Sequence, residues 1–232
     1  MSSKHKTSVE ILHVDDDIIV VNKPAGVIVH RAPGYPDGTL CDILLEDFPD
    51  IADVGSKERP GVVHRLDRET SGVMVFARNQ RAYLALRREF ETHGNVGKTY
   101  LAVVHGSPKR KTGTIETLIG RKKFDAKRMA VSDHDGKTAI THWTVLSKHN
   151  SISLVEFRIE TGRTHQIRVH SAHLGNPIVG DGLYGDAAKD RRLSHPPARP
   201  LLHAVMLSFP HPRTRRIAEF AARPPADLIY AR

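Results

Sequence analysis

The sequence has a single cysteine and no long apolar run, and both absences exclude whole classes of protein. Cys41 stands alone, so neither an intrachain disulfide nor a Cys-x-x-Cys metal pair is possible. No apolar stretch approaches the roughly 20 residues that a membrane-spanning helix needs. The opening Met-Ser-Ser-Lys-His-Lys also lacks the apolar core of a signal peptide. We therefore expect a cytoplasmic protein without membrane association.

Acidic residues are in the minority. Among 232 residues, 35 are Lys or Arg and 26 are Asp or Glu, which gives a formal net charge of +9. Such a balance favours a polyanionic partner, because each phosphate contact releases condensed counterions. Charge alone is compatible with ribosomes, nucleic acids or anionic membranes. The apolar share of 39% can fill an ordinary core, and the length fits one large domain or two small ones.

Common metal and nucleotide motifs are missing as well. His165, His170 and His173 follow one another at steps of five and three, which matches no zinc-site spacing on a helix, and no HExxH pattern accompanies them. The glycine-rich segment 175–185 lacks both the GxxxxGK[ST] and the GxGxxG arrangements. We therefore expect no metal and no nucleotide cofactor.

The most informative stretch is a charged connection between two apolar segments. Residues 62–63 and 73–77 are predicted to be extended, and the connection between them carries His64, Arg65, Asp67, Arg68 and Glu69. An opposite charge within hydrogen-bonding reach keeps a carboxylate ionised, so Asp67 between two arginines could serve as a nucleophile or a base. A solvated turn whose charges pair with one another is the alternative.

These residues carry a family resemblance. His64-Arg-Leu-Asp67 followed by Arg-Glu-Thr-Ser-Gly72 resembles the signature of the RluA-type pseudouridine synthases, which convert selected uridines of RNA to pseudouridine. Further matches follow in the same order: Asn22-Lys-Pro-Ala-Gly-Val-Ile-Val-His30, Lys98-Thr-Tyr-Leu-Ala-Val-Val-His-Gly106, Gly136-Lys-Thr-Ala-Ile-Thr141, Thr161-Gly-Arg-Thr-His-Gln-Ile-Arg-Val-His170, Gly175-Asn-Pro-Ile-Val-Gly-Asp181 and Leu202-His-Ala-Val-Met-Leu-Ser-Phe-Pro-His-Pro212. The similarity therefore extends over nearly the whole chain.

The resemblance implies an α+β fold, with a long, mostly antiparallel mixed sheet and a few packed helices. It places one catalytic domain at residues 9–222, between an N-terminal tail (1–8) and a C-terminal tail (223–232). Local patterns predict strands at 9–14, 18–22, 27–30, 98–105, 138–146, 151–160, 202–209 and 216–221, and helices capped by Thr39, Asn79 and Thr164. Pro224-Pro225 is expected to end ordered structure. Many relatives carry a separate RNA-binding domain ahead of the catalytic part, so we expect target selection here to depend on catalytic-domain loops.

The resemblance also assigns roles to individual residues. Asp67 is implied as the essential carboxylate, acting either as a nucleophile at the sugar or as the base that takes a sugar proton. Tyr100 would stack on the uracil, Arg168 would pair with Asp67, and Arg65 would fill the place of the flipped nucleotide. Further substrate-binding candidates are His64, Arg68, Arg163, His165, Lys109, Arg110 and Lys111. No cofactor is implied.

A dense basic run provides the last sequence signal. Residues 107–128 contain eight Lys and Arg but only two acids, Glu116 and Asp125. A run of one sign repels itself without a partner, which favours a hairpin or loop that contacts RNA over a solubilising surface. Together with the resemblance, which implies a pseudouridine synthase acting on tRNA or on an rRNA stem-loop, we expect a monomeric enzyme. The alternatives are an RNA-binding module without catalysis, and a uridine N-glycosidic hydrolase that uses Asp67 and Glu69.

Overall fold

The computed structural model describes residues 8–32, 34–92, 94–125 and 127–231, and the chain divides into two compact units. The first unit runs up to Val96 and includes Leu207–Ala222. The second comprises Gly97–Met206 and the chain from Arg223 onward. The predicted single domain at residues 9–222 divides the chain differently and stays a prediction.

Strands account for most of the regular structure. They are β1 (Glu10–Val14), β2 (Ile18–Lys23), β3 (Gly55–Ser56), β4 (Arg59–Pro60), β5 (Ser71–Ala77), β6 (Gly97–His105), β7 (Thr112–Arg121), β8 (Met129–Ser132), β9 (Lys137–His149), β10 (Ile152–Ile159), β11 (Leu202–Pro210) and β12 (Ile217–Ala221). The α-helices are α1 (Leu40–Asp47), α2 (Gln80–Thr92), α3 (Gln166–His173) and α4 (Ala187–Asp190), and 3-10 helices span Pro49–Asp53 and Ala226–Ala231. In the described part of the chain, β3 and β4 form a small ribbon and the other strands belong to a ten-stranded sheet. The predicted α+β class is confirmed.

In the first unit, antiparallel pairs join β1 to β2 and β2 to β5. Residues 18–21 and 73–77 are fully buried, as continuous apolar strands covered on both faces should be. Two predicted helix caps are confirmed, because Thr39 forms a capping box with Asp42 and Asn79 Oδ1 accepts the Ala82 N–H at 2.9 Å.

In the second unit, antiparallel pairs join β6 to β10, β10 to β9, β9 to β7 and β7 to β8. The predicted alternation on β10 is confirmed, since Val155, Phe157 and Ile159 are buried and pack with Ala102 and Val104 of β6. These strands form the platform from which the second unit presents its polar side chains.

The predicted strand at residues 27–30 is wrong. The carbonyls of Val27, Ile28 and Val29 accept hydrogen bonds from the Lys23 ammonium and from the N–H groups of Leu40 and Cys41, respectively. The segment therefore satisfies its backbone with a side chain and the start of α1, and not with a strand ladder. Cys41, predicted to be a small buried hydrophobe, is buried there, and burial raises the pKa of its thiol to about 12.

Two predicted boundaries are also wrong: the start of α3 and the C-terminal end of ordered structure. Helix α3 is not capped by Thr164; it begins at Gln166, and His165 occupies the cap position with a left-handed backbone (φ 57°). Ordered structure does not end at Pro224-Pro225, because a 3-10 helix follows and buries Leu228 in an apolar cluster of the second unit. None of the helices in the described ranges is long and apolar enough to cross a membrane.

Candidate active site

Asp67 lies in a short turn that leads directly into the buried strand β5. The Thr70 N–H donates to the Asp67 carbonyl at 3.1 Å and closes the turn. Leu66, next to Asp67, is buried, whereas the Asp67 side chain is half-buried. The predicted strand before the turn is reduced to one bridge, between Val62 and Phe76. A half-buried carboxylate beside a rigid strand is held in place and stays open to a ligand.

A buried lysine fixes this turn from below. Lys23 is fully buried, and its ammonium donates to the carbonyls of Pro24 at 2.8 Å, Val27 at 2.8 Å and Arg68 at 3.0 Å. The Gly26 N–H donates to the same Arg68 carbonyl at 2.9 Å. Sequence reasoning gave Lys23 no role, although a lysine at the end of the strand Ile-Ile-Val-Val-Asn-Lys, shortly after four apolar residues, was a usable signal.

Arg68 braces the same loop. Its Nε donates to the Gly26 carbonyl at 3.1 Å, and its Nη1 donates to Tyr35 Oη at 3.0 Å. Its guanidinium also lies over the Tyr35 ring, 5.3 Å from the centroid, and 3.3 Å from Glu69 Oε1. These contacts assign Arg68 to the architecture of the turn, while its predicted contact with substrate stays a prediction.

His64 likewise has a structural position. Its Nε2 accepts the Val75 N–H at 3.1 Å, so the lone pair of this nitrogen faces strand β5. The ring stacks on Phe90 with centroids 4.6 Å apart. Arg65, the next residue, is exposed. The turn thus presents Arg65 outward, while His64 ties it to the sheet; substrate contacts of both residues stay predictions.

Tyr100 stands on the second unit, on strand β6. It lies opposite Phe157 of β10, which in turn lies opposite Trp143 of β9. Cross-strand partners point to the same face, so these three aromatic side chains form a row across the sheet. Tyr100 and Trp143 are only partly buried and pack on the apolar cluster around Phe157. Tyr100 is thus a partly buried aromatic side chain packed on the sheet, and an aromatic face of this kind can stack on a planar base.

Arg168 forms a buried ion pair in the same unit. Its Nε and Nη2 donate to the two carboxylate oxygens of Asp181 at 2.7 and 2.8 Å. Burial by itself raises the pKa of Asp181. Hydrogen bonds from Arg168, Leu183 and Tyr184 lower it by more than burial raises it, so the pKa lies below its usual range. Sequence reasoning quoted Asp181 within a motif but missed this role. An isolated acid after glycine in that motif was the available signal.

Tyr184 connects Arg168 to the neighbouring elements. The Arg168 guanidinium lies over the Tyr184 ring, 5.1 Å from its centroid. Tyr184 Oη accepts the Met129 N–H at 2.8 Å and is 2.8 Å from His165 Nδ1. The hydroxyl can donate to Nδ1 or accept from it, depending on the imidazole tautomer, and either arrangement fixes the ring. His165 is therefore oriented by Tyr184, and its predicted substrate contact stays a prediction.

Gln166 organises the loop before α3. Its Oε1 accepts from the Thr161 hydroxyl at 2.8 Å and from the Arg163 N–H at 3.0 Å, and its Nε2 donates to the Ile140 carbonyl at 2.9 Å. Arg163 Nε donates to the Thr138 carbonyl at 2.9 Å. The side chain of Gln166 is buried, so sequence reasoning, which sought charged ligands, did not single it out.

The cationic side chains of the second unit differ in burial: Lys98 is buried, whereas the three of the basic run are exposed. Lys98 is buried and donates to the Glu160 carbonyl at 3.1 Å; burial, with a smaller effect of Arg163, lowers its pKa to about 8. In contrast, the side chains of the predicted phosphate contacts Lys109, Arg110 and Lys111 are exposed. The carbonyl of Arg110 accepts from Trp143 Nε1 at 3.3 Å, so this connection is anchored through its backbone.

One group in the described ranges has donor atoms close enough to bind a metal: Asp15, Asp17 and His211, in the first unit. Burial raises the pKa of Asp17, but hydrogen bonds from Arg213, Asn79 and Arg81 lower it more, to below its usual range. Asp15 likewise has its pKa lowered to about 2, against the effect of burial, by hydrogen bonds that include His211. Protein donors thus account for these carboxylates.

The predicted site residues fall into both units. His64, Arg65, Asp67 and Arg68 belong to the first unit. Tyr100, Arg163, His165 and Arg168 belong to the second. The predicted pairing of Arg168 with Asp67 therefore stays a prediction, alongside the bidentate pair that Arg168 makes with Asp181.

Comparison with known proteins identifies close relatives of the whole chain. A family model described as RNA pseudouridylate synthase matches residues 17–173. An uncharacterised RNA pseudouridine synthase of Chloroflexus aurantiacus is 50% identical over 207 residues, which cover 89% of this chain and 63% of that protein. Ribosomal large subunit pseudouridine synthase D of Xanthomonas campestris is 44% identical over 226 residues, covering 94% of this chain and 66% of that protein. The chain thus spans less than two thirds of the length of these two relatives.

Solved structures agree with this likeness. The structure titled human RNA pseudouridylate synthase domain containing 1 superposes with a TM-score of 0.78 at 30% identity, covering 98% of this chain and 89% of that chain. The structure titled human RNA pseudouridylate synthase domain containing 4 gives a TM-score of 0.74 at 29% identity, covering 96% and 91%. The fold expected from the sequence motifs is therefore confirmed.

Proposed function

The chain belongs to the RNA pseudouridylate synthase family, and on that premise we propose that it isomerises selected uridines of structured RNA to pseudouridine, with Asp67 as the essential carboxylate. The observation that carries the proposal is the construction of the Asp67 turn. On one side of Asp67, buried Lys23 holds the Arg68 carbonyl; on the other side, Leu66 is buried and anchors the chain. Such a turn holds one carboxylate in a defined place, which the reaction requires.

The chemistry itself needs few groups. The bond from the ribose C1′ to uracil N1 breaks, the base turns, and C1′ bonds to uracil C5; the proton on C5 then moves to solvent or to a base, and N1 gains a proton. Asp67 acts either by attacking the sugar or by removing a sugar proton, and both routes return it unchanged. The detached base must stay in a water-poor pocket throughout, and no cofactor takes part.

Three other residues complete the proposed site. Tyr100 stacks on the uracil, an assignment supported by its place in the aromatic row on β6, β10 and β9. Arg168 pairs with Asp67, and its existing pair with Asp181 holds the guanidinium in a single orientation. Arg65, which is exposed on the turn, fills the place that the flipped nucleotide leaves.

The proposed substrate class is tRNA or large-subunit rRNA. The relative from Xanthomonas campestris bears the name of a ribosomal large subunit pseudouridine synthase, which favours rRNA. Mapping pseudouridines in total RNA from cells with and without this protein identifies the sites directly. Positions that disappear in the deletion and return with the wild-type protein are its products.

The central test compares Asp67→Asn with Glu69→Gln. We expect Asp67→Asn to abolish pseudouridine formation and to leave RNA affinity within severalfold, because the change removes chemistry and not positive charge. Glu69→Gln should retain activity. Full activity of Asp67→Asn would contradict the assignment, as would release of free uracil by the wild-type protein, which indicates the hydrolase alternative. RNA binding without any product from the wild-type protein indicates the non-catalytic module.

A second test addresses Arg65. Arg65→Ala should slow turnover more on a uridine stacked in a helix than on an extrahelical uridine, because only the stacked one leaves a gap to fill. Arg59→Ala, at another exposed arginine of the first unit, is the control. Equal losses on both RNAs would instead indicate an ordinary phosphate contact.

A further inference from the structure

Phe124 is an exposed aromatic residue at the tip of the hairpin formed by β7 and β8. Its side chain is fully exposed, and its backbone is left-handed at φ 61°. Water contact is unfavourable for an aromatic ring, and a positive φ is a genuine outlier for a bulky residue. Strained, exposed residues of this kind persist where the surrounding structure holds them and function uses them.

The loop around Phe124 is well hydrogen-bonded. The Lys122 N–H donates to the Arg128 carbonyl at 2.9 Å, and the Arg128 N–H donates to the Asp125 carbonyl at 3.1 Å. The Asp125 N–H donates to the Lys122 carbonyl at 3.2 Å, and Asp125 Oδ1 accepts the Lys127 N–H at 3.1 Å. The loop backbone therefore supports the outward position of the ring.

Basic residues flank Phe124 on both sides in the chain. Arg121, Lys122, Lys123 and Lys127 are exposed, and no carboxylate of the described residues lies within salt-bridge distance of any of them. The acid of the loop, Asp125, lies 3.4 Å from Arg128. An aromatic ring among unpaired cations suits a nucleic acid strand, in which bases alternate with phosphates.

The base of the hairpin packs in an apolar cluster that also contacts Tyr184, the residue beneath Arg168. Met129 and Val131 of β8 pack with Ile119 of β7, with Val169 of α3 and with Tyr184. Met129 N–H also donates to Tyr184 Oη, and Tyr184 lies beneath the Arg168 guanidinium. The base of the hairpin therefore lies beside the Arg168–Tyr184 contact, and the loop begins directly after Arg121, opposite Met129.

We propose that Phe124 stacks on an unpaired base of the substrate RNA, while Lys122 and Lys123 bind the adjacent phosphates. This inference rests on the proposed function, because it takes RNA to be the substrate. The ring acts as a selectivity element: the lysines bind phosphates of any strand, but Phe124 adds affinity only where the RNA offers an unstacked base. A single exposed ring among lysines offers too little apolar surface for a stable protein interface.

The test uses two probes of known structure. One is a single-stranded oligouridylate that carries 2-aminopurine, whose fluorescence is quenched when an aromatic ring stacks on it. The other is a blunt RNA duplex of the same length. Phe124→Ala should weaken binding of the single strand about tenfold and relieve quenching. Phe124→Trp keeps an aromatic ring and should retain both the affinity and the quenching of the wild type. Affinity for the duplex should change less than twofold. Leu84→Ala, at another exposed apolar residue, is the control and should alter neither probe.

Several outcomes would overturn the inference. Unchanged binding and quenching in Phe124→Ala would show that the ring does not stack on RNA. An equal loss on both probes would show a general effect on phosphate binding. Thermal unfolding of Phe124→Ala should match that of the wild type, because the removed side chain is exposed.

The proposed function is tested separately from this inference. If the wild type forms pseudouridine in cellular RNA while Phe124→Ala binds the single strand unchanged, only the stacking proposal fails. If Phe124→Ala loses stacking while the wild type forms no pseudouridine, the stacking proposal holds and the catalytic one fails.

Discussion

Replacing Lys23 by Met should destabilise the protein and disorder the turn that carries Asp67. Methionine keeps most of the length of the side chain but has no donor. The carbonyls of Pro24, Val27 and Arg68 then lose their shared ammonium inside a fully buried site. Water cannot replace the donor without opening the loop, so the loss should be felt both in stability and in the geometry of Asp67.

The magnitude follows from two opposing effects. Each of the three hydrogen bonds to a charged donor contributes about 1.5–3 kcal/mol, or roughly 4–9 kcal/mol together. Removing the ammonium also removes the cost of keeping a charge out of water, which is several kcal/mol. The expected net loss is therefore about 3 kcal/mol of unfolding free energy. With a urea slope of about 2 kcal/mol per molar, the midpoint should fall by about 1.5 M.

Urea unfolding, followed by circular dichroism and fluorescence, measures this loss. Lys57→Met is the matched control, because Lys57 is an exposed lysine of the same unit, and its midpoint should stay within about 0.3 M of the wild type. In mild conditions, where Lys23→Met remains folded, its kcat should still fall by more than tenfold. A midpoint equal to that of Lys57→Met would refute the account of Lys23 as the anchor of the turn.

Three further predictions concern charge. Asp181 has a lowered pKa in the fold, so its stabilising effect is present above the unfolded value of about 3.9 and is lost as pH falls through the folded value. Asp181→Asn should therefore flatten the fall of the unfolding free energy at acid pH. The same change at the exposed Asp133 should not. Lys98 has a folded pKa of about 8 against an ordinary value of 10.5, so between these two pH values the unfolded chain binds more protons than the folded one. The unfolding free energy should therefore rise by up to about 3 kcal/mol as pH increases from 8 to 10.5. Lys98→Met should lack this rise. Replacing Lys109, Arg110 and Lys111 together by Gln should lower the slope of log affinity against log salt by about 2 to 3, which corresponds to one phosphate contact for each cation.

Each of these predictions has a clear contrary result. An acid limb unchanged in Asp181→Asn would mean that Arg168 does not depress the pKa of that carboxyl. Equal pH slopes of stability in wild type and Lys98→Met would mean that Lys98 is not desolvated in the fold. An unchanged salt slope in the triple variant would assign Lys109, Arg110 and Lys111 to a solvated surface.

The sequence by itself determined the class of the fold and the position of the turn that carries Asp67. Unbroken apolar runs predicted β2 and β5, and the alternation of Val155, Phe157 and Ile159 predicted the buried face of β10. Side-chain caps at Thr39 and Asn79 predicted the starts of α1 and α2. These signals are local: periodicity and capping depend on residues a few positions apart, so they can be read directly from the chain.

Only the tertiary structure decided which polar groups meet. Lys23 reaches the carbonyl of Arg68, and Gln166 reaches that of Ile140, across long separations in sequence. Arg168 pairs with Asp181 from the next loop. The wrong prediction at residues 27–30 has the same origin, because that segment gives its carbonyls to a side chain and a helix start. A buried donor must find an acceptor wherever the packed chain provides one, and no sequence period encodes that position.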